Sequence, residues 1–145
     1  MKRRQFLSLV SIILILTLIS CEKTLTSTPT IVTGRVIDEN NTPVEGVEFR
    51  FSGYDQKNAF SHSETFYLTA LTDKDGIYYL SQVIPNGTDN ANILPLETSK
   101  FRFGMDYNIF LYKDAVATTL VGRPIEIQSK NYGKTNTFNF QIRKK

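Results

Sequence analysis

The sequence predicts an all-β protein, a seven-stranded antiparallel β-sandwich, and three observations support this class. β-branched and aromatic residues are frequent from Ile31 onward, and apolar and polar residues alternate along most of the segments that contain them. Clusters of Asn, Asp, Gly and Pro separate these segments, which is typical of turns between strands. Helical periodicity is scarce after residue 30. The chain therefore reaches a packed core through sheets.

The seven predicted strands follow one another with turn residues between them. They comprise residues 31–38, 47–52, 65–72, 77–84, 101–113, 121–129 and 137–143. The sequence Asp73-Lys74-Asp75-Gly76 predicts a hairpin between the third and fourth strands, and Gly104 marks an expected bulge in the fifth. Residues 53–63 are expected to form a polar loop, and residues 85–99 a long, turn-rich connection.

Alternation within the strands also predicts which side chains are buried. We expect a core that includes Val36, Val47, Phe49, Phe103 and Phe140, with Phe51 also facing inward. The fourth strand has apolar residues on both faces, so one of these faces must point outward in a two-layer sandwich. One face carries Tyr78, Leu80 and Ile84, and the other carries Ile77, Tyr79 and Val83. The outward face is either covered by the 85–99 segment or available to a partner.

The first 21 residues have the pattern of an export signal. Lys2, Arg3 and Arg4 precede an almost wholly apolar stretch, residues 6–19, which ends before a small residue and the only cysteine. A helix of that stretch would span about 21 Å, short of the roughly 30 Å hydrocarbon core, so a transmembrane helix is disfavoured. A buried structural cysteine is disfavoured because polar residues follow Cys21 directly.

The sequence Leu18-Ile19-Ser20-Cys21 resembles the lipobox of bacterial lipoproteins. This resemblance implies cleavage before Cys21, a diacylglycerol on its thiol and an acyl chain such as palmitate on its new amino group. Two or more chains anchor a protein stably to a membrane. The predicted organisation is a signal peptide at residues 1–20, a lipid-anchored tether at 21–30 and a β-sandwich at 31–145.

Charge gives no indication of a nucleic-acid partner. Lys and Arg total 17 against 14 acidic residues, and three of the basic residues lie in the signal, so the remaining side chains are formally neutral. We therefore expect a membrane, through the lipid anchor, and an envelope protein, peptide or glycan as partners. The expected location is the cell envelope, on the outer membrane.

Two stretches resemble the carboxypeptidase regulatory-like domain of the transthyretin (prealbumin-like) group. The first runs from Val32 through Gly34, Val36 and Asp38 to Thr42-Pro43-Val44-Glu45-Gly46-Val47, and the second from Thr72 to Leu80. The resemblance covers residues 31–84 and implies a seven-stranded Greek-key β-sandwich. Its motifs are structural and bring no catalytic residue with them.

Candidate chemistry in the sequence is sparse. His62 is the only histidine, and a Ser-His-acid triad needs more than neighbouring serines. The Asp73–Gly76 sequence lacks the spacing of an EF-hand loop, so a turn is favoured, although a different calcium site pairing Asp73 and Asp75 with another loop stays open. The hydroxyisourate hydrolases of the transthyretin group use several His residues and a C-terminal Tyr-Arg-Gly-Ser, which this chain lacks.

These observations predict a non-catalytic binding or structural module with no cofactor beyond the covalent lipid at Cys21. Recognition of a glycan or peptide is the alternative within the binding class, and an envelope enzyme with an unrecognised site is the alternative outside it. Tyr54 and Tyr79 are the candidate contact residues, together with the loops at 54–63 and 86–99, because tyrosine adds rigid contact area at low entropic cost.

Overall fold

A computed structural model describes residues 27–58, 61–113 and 116–145, and these residues form two β-sheets packed face to face. The all-β prediction is confirmed, since the described helical structure amounts to one 3-10 turn at Ser129–Asn131. The described residues contain ten strands rather than seven. They are β1 Thr30–Ile37, β2 Glu48–Asn58, β3 Ser61–Leu71, β4 Ile77–Gln82, β5 Asn90–Leu96, β6 Tyr107–Lys113, β7 Val116–Leu120, β8 Ile125–Ile127, β9 Thr135–Thr137 and β10 Asn139–Lys144.

The first sheet has the order β4-β1-β10-β6-β7, and β9 pairs with the start of β1. β1 runs parallel to β9 and β10, and its other neighbour β4 is antiparallel. The second sheet has the order β3-β2-β5-β8 and is antiparallel throughout. β4 and β3 are therefore edge strands, and they lie on the same side of the sandwich.

Aromatic side chains from both sheets meet in the core. The Phe49 ring of the second sheet stacks on the Tyr78 ring of the first with centroids 4.1 Å apart, and lies 5.0 Å from the Phe140 ring. All three rings are buried. Burying large side chains from two facing sheets is what stabilises a domain without a disulfide.

The predicted core is confirmed at four of its five positions. Val36, Val47, Phe49 and Phe140 are fully buried, as is Phe51. Phe103 is only half-buried, because it lies in a turn rather than in a strand, although its ring still stacks near that of Phe101, with centroids 6.2 Å apart.

The predicted hairpin at Asp73–Gly76 is wrong, since β3 and β4 belong to different sheets. Thr72, at the end of β3, remains bound to the start of β2: its N–H donates to the Val47 carbonyl and its hydroxyl donates to the Val44 carbonyl. The turn then carries the chain across the sandwich. The residues of the turn specify only that the chain reverses direction. Because Thr72 is hydrogen-bonded to Val44 and Val47, the chain leaves the second sheet and β3 and β4 do not pair.

The predicted 85–99 connection contains a strand, β5, so that prediction is also wrong. Ala91, Ile93 and Pro95 face the core and are buried, while the intervening residues are half-buried. Pro95 is tolerated because β8 pairs only with residues 91–93, which leaves that part of β5 at an open edge.

Two further strand boundaries differ from the prediction. Residues 101–106 form a turn instead of the start of β6, closed by the N–H of Gly104 bonding to the Tyr107 carbonyl and by an ion pair of 2.6 Å between Arg102 and Asp106. Gly104 has φ +83°, so it is a turn residue and not a bulge. The predicted strand at 121–129 is shortened to β8, which lies in the second sheet, and the preceding strand β7 lies in the first sheet.

Candidate contact surface

The outer face of β4 is apolar and open. Tyr78, Leu80 and Ile84 point into the core, whereas Ile77, Tyr79 and Val83 are 45%, 59% and 41% exposed. The 85–99 segment does not cover these side chains, because it turns away to form β5 in the second sheet. Of the two possibilities for this face, cover by the 85–99 segment is wrong, and the described residues leave the face exposed.

β3, the edge strand of the second sheet that lies beside β4, exposes further apolar side chains on the opposite outer face of the sandwich. Tyr67 and Leu71 on its outer face are 50% and 61% exposed. Its inward residues Phe66, Leu68 and Ala70 are only half-buried, since the edge of the sandwich leaves them open on one side. We call the five exposed residues Tyr67, Leu71, Ile77, Tyr79 and Val83 the tyrosine flank.

Tyr54 lies away from the tyrosine flank's β4 portion, on β2 rather than in a loop. It is half-buried, and the Ser52 hydroxyl lies 3.4 Å from its phenol oxygen and 3.3 Å from Asn92 Oδ1. The guanidinium of Arg50 is 6.0 Å from the centre of the Tyr67 ring. The structure therefore places the two predicted contact tyrosines on the outer faces of different sheets.

The two predicted contact loops meet at one end of the sandwich. The predicted loop at 53–63 is mostly the two arms of the β2–β3 hairpin, with exposed His62 opposite Gln56. Asp89 ties the second segment to this hairpin, because its Oδ2 accepts the Gln56 N–H at 2.9 Å and its own N–H donates to the Tyr54 carbonyl. Only residues 85–89 of the second segment act as a loop here.

The Asp73 side chain serves the turn it begins. Its Oδ1 accepts the N–H groups of Asp75 and Ile77, at 2.9 and 2.8 Å, and Gly76 adopts φ +74°. Asp38 has the same role in the preceding loop, accepting the N–H groups of Asn40 and Thr42. Among the residues that the structure describes, no cluster of three or more His, Cys, Asp or Glu could hold a metal ion.

The described surface has several small depressions. One of about 370 Å³ is bounded by Arg35, Tyr112 and Asn139, and another of about 230 Å³ by Asp38, Glu39 and Lys144. The Asp38 carboxylate is already engaged by backbone N–H groups in its turn. Neither depression includes His62.

The predicted lipid-attachment residue, Cys21, lies outside the described residues, as do the predicted signal and most of the tether. Within residues 27–58, 61–113 and 116–145, no helix is long and apolar enough to cross a membrane.

Comparison with known proteins assigns the chain to no family. No family model matches the sequence, and no curated protein matches it significantly. The chain is similar to the major pilin subunit BcpA of Bacillus cereus, with 21% sequence identity and a TM-score of 0.43 over 81% of this chain and 31% of the pilin. It is also similar to a streptococcal ancillary pilin, with 17% identity and a TM-score of 0.45 over 82% of this chain and 33% of the pilin. It thus spans about a third of each pilin. A third similar structure is the plantain pollen allergen Pla l 1, with 16% sequence identity and a TM-score of 0.43 over 81% of this chain and 95% of the allergen. At these values the likenesses carry no argument about function.

Proposed function

We propose that this chain is a lipid-anchored β-sandwich of the bacterial cell envelope that acts without catalysis, by presenting the tyrosine flank to a partner. The observation that carries the proposal is the exposure of five large apolar side chains along two adjacent edge strands. Exposed apolar side chains grouped on one face mark interaction sites, and Ile77, Tyr79 and Val83 share the outer face of β4. Tyr79 lies in the β4 portion of the flank, whereas Tyr54, the other predicted contact residue, lies on the outer face of the second sheet beside β3.

The anchor in this proposal is the diacylglycerol and acyl chains at Cys21, in the outer membrane. The support is the Leu18–Cys21 sequence behind a basic and apolar signal. β1 begins at Thr30, so about eight residues separate Cys21 from the sandwich, with a reach of about 26–29 Å when extended. A tether of that length keeps the domain next to the bilayer.

The fold assignment in this proposal is the carboxypeptidase regulatory-like, transthyretin-like domain. Residues that carry the resemblance have defined structural tasks here. Gly34 admits the Phe138 carbonyl, since an added Cβ would lie 1.8 Å from that oxygen, and Gly76 adopts the positive φ of the turn and approaches the Val36 carbonyl. These tasks are consistent with motifs that specify a sandwich and not a reaction.

Two measurements on the full chain test the proposal. Metabolic labelling with palmitate and membrane fractionation should show a labelled, membrane-bound protein, and Cys21→Ala should lose both the label and the membrane association. An intact mass with an unmodified Cys21, or with residues 1–20 retained, would contradict the anchor. Tyr79→Ala should weaken association with envelope components without lowering the melting temperature, because Tyr79 is 59% exposed.

A glycan is the second candidate ligand, and the outer face of the second sheet favours it. Tyr54, Asn92, Arg50 and Tyr67 place ring faces, phenol hydroxyls, an amide and a guanidinium on the outer face of this sheet, above the buried Ser52 hydroxyl. Aromatic faces with a few placed polar groups are suited to a sugar. Calorimetric titration with soluble envelope polysaccharide separates the candidates: a glycan-binding face loses heat of binding in Tyr54→Ala and retains it in Tyr79→Ala.

A further inference from the structure

β4 is an edge strand without the usual protection. Residues 77–84 contain no charged residue, and the β1–β4 register has no bulge from Thr30 opposite Gln82 to Arg35 opposite Ile77. Edge strands of natural sheets normally carry a charged residue, a proline or a bulge, because their free backbone groups can otherwise pair with another strand. The first such residue after β4 is Pro85.

The direction of the backbone groups along β4 follows from the bonds that β1 makes on its other side. Ile31 N–H donates to the Lys134 carbonyl and the Thr33 carbonyl accepts the Phe138 N–H, so these β1 residues face away from β4. Alternate residues of β1 face β4, opposite Tyr78 and Leu80. The N–H and C=O groups of Tyr79 and Ser81 therefore point out of the sheet edge.

Ile77 also points its backbone outward, but its groups are engaged. Its carbonyl accepts the Asp73 N–H at 2.9 Å, and its N–H donates to Asp73 Oδ1 at 2.8 Å. The backbone groups of β4 that can bond to a new strand are therefore the N–H and C=O groups of Tyr79 and Ser81, which are two donors and two acceptors.

We propose that β4 pairs antiparallel with β4 of a second copy of this chain, about a two-fold axis at Leu80. This inference rests on the proposed function, because it names the partner of the tyrosine flank's β4 portion. Centring on Leu80 puts Tyr79 opposite Ser81 of the other copy, and Ser81 opposite Tyr79. Each is a hydrogen-bonded pair, so the four outward groups of each edge are satisfied by the four of its partner.

Moving the two-fold axis by one residue in either direction loses this pairing of free backbone groups. An axis at Tyr79 would place Ser81 opposite Ile77, whose backbone groups are bound to Asp73. An axis at Ser81 would place Tyr79 opposite Val83, whose carbonyl accepts the Gln82 side-chain amide. The Leu80-centred register is the one in which free groups meet free groups.

The side chains are self-complementary in the same register. At the axis, Leu80 lies opposite Leu80 of the second copy, and the pairing ends before Ile77, whose strand edge is occupied by Asp73. Apolar cross-strand pairs stabilise a sheet, and no like charges are brought together, since residues 77–84 are uncharged. The second copy would also approach the half-buried Leu68 and Ala70 on the adjacent edge of β3.

Anchoring of both copies in one bilayer is compatible with this pairing. Thr30, the first residue of β1, lies opposite Gln82, which is two residues from the axis. The first residues of β1 in the two copies are therefore offset by four residues, or about 13 Å, along the strands. Each tether reaches about 26–29 Å when extended, which exceeds that offset.

Mixed disulfide formation tests the register in the full chain. Opposed residues of a hydrogen-bonded pair have Cα atoms about 5.5 Å apart, within disulfide range, whereas the diagonal Tyr79–Tyr79 distance is about 7–8 Å. Co-expressed Tyr79→Cys and Ser81→Cys chains should therefore form a disulfide-linked dimer under mild oxidation. Each variant alone should form little, and the wild-type chain controls for Cys21.

Ser81→Pro tests the backbone bond itself. Ser81 N–H points away from β1, so proline can occupy this edge position in the monomer while removing the donor that the second copy needs. Sedimentation of the full chain in mild detergent should show a dimer for wild type and for Ser81→Ala, which retains the N–H, and a monomer for Ser81→Pro with an unchanged sheet circular-dichroism spectrum.

A monomeric wild-type chain without the mixed disulfide would overturn the inference, and so would a dimer that survives Ser81→Pro with undiminished affinity. If Ser81→Pro does not fold, the disulfide experiment decides alone. Loss of dimerisation leaves the palmitate label and the membrane fraction unchanged, whereas failure of the proposed function appears as an unacylated Cys21, so the two failures are distinguishable.

Discussion

Gly34→Ala should destabilise the sandwich strongly, although it adds a single methyl group. The added Cβ would lie 1.8 Å from the Phe138 carbonyl oxygen and 3.0 Å from the Tyr78 hydroxyl. Moving the Phe138 peptide to normal contact would disturb two hydrogen bonds, Phe138 N–H to Thr33 O at 2.9 Å and Tyr78 O–H to Phe138 O at 2.8 Å. Each is worth about 0.5–1.5 kcal/mol, and a buried hydroxyl left without a partner costs a further ~1–3 kcal/mol. We expect a loss of about 2–6 kcal/mol in the free energy of unfolding.

Urea unfolding of Gly34→Ala and Gly122→Ala measures this effect against a matched control. Gly122 has open space around its added Cβ and no positive φ, so alanine there should be neutral or stabilising by up to about 1 kcal/mol. The midpoint should fall for Gly34→Ala with an unchanged slope. Equal midpoints for the two variants would refute the close approach of Phe138 to β1.

Two further predictions concern the core rings. Phe49→Ala removes a fully buried ring stacked on Tyr78 and should cost about 3–5 kcal/mol in urea unfolding, whereas Leu71→Ala, 61% exposed, should stay within about 0.5 kcal/mol; similar losses would contradict the assignment of inside and outside. Burial raises the pKa of Tyr78 well above its usual range. Its contribution to stability is therefore complete below pH ~10, the unfolded pKa, and is lost as the pH rises further. Tyr78→Phe should flatten that alkaline loss in pH-dependent unfolding, and an unchanged alkaline branch would contradict this.

Side-chain alternation made much of this fold predictable. Strict alternation along β2 and β4 identified Phe49 and Phe51 as buried and separated Tyr78 from the exposed Tyr79. Local patterns of this kind depend only on which face a residue occupies. They do not depend on which strand lies beside it.

Predictions that depended on long-range partners were wrong. Asp73–Gly76 has the residues of a hairpin turn, but the bonds of Thr72 to the 44–47 segment send the next strand to the other sheet. β5 was missed because its Asn residues and Pro95 are typical of loops, and its pairing with β2 and the open edge beyond Ile93 outweigh that tendency.

The candidate contact surface was predictable only where it depends on side-chain alternation within one strand. Tyr79 was identified from its alternation on an apolar strand. The contributions of Tyr67 and Leu71 could not be, because they depend on β3 lying beside β4 at the edge of the sandwich. The free backbone groups of Tyr79 and Ser81 likewise become apparent only once the partners of β1 are known.

Site-specific photocrosslinking in the native envelope tests the central claim, that this protein acts through the exposed apolar residues of β3 and β4. A photoreactive residue at position 79 samples the tyrosine flank, and one at position 119, an exposed residue on the opposite edge strand β7, is the control. We predict crosslinked products at position 79 and few at position 119. Equal crosslinking at the two positions, or none at position 79, would contradict the account.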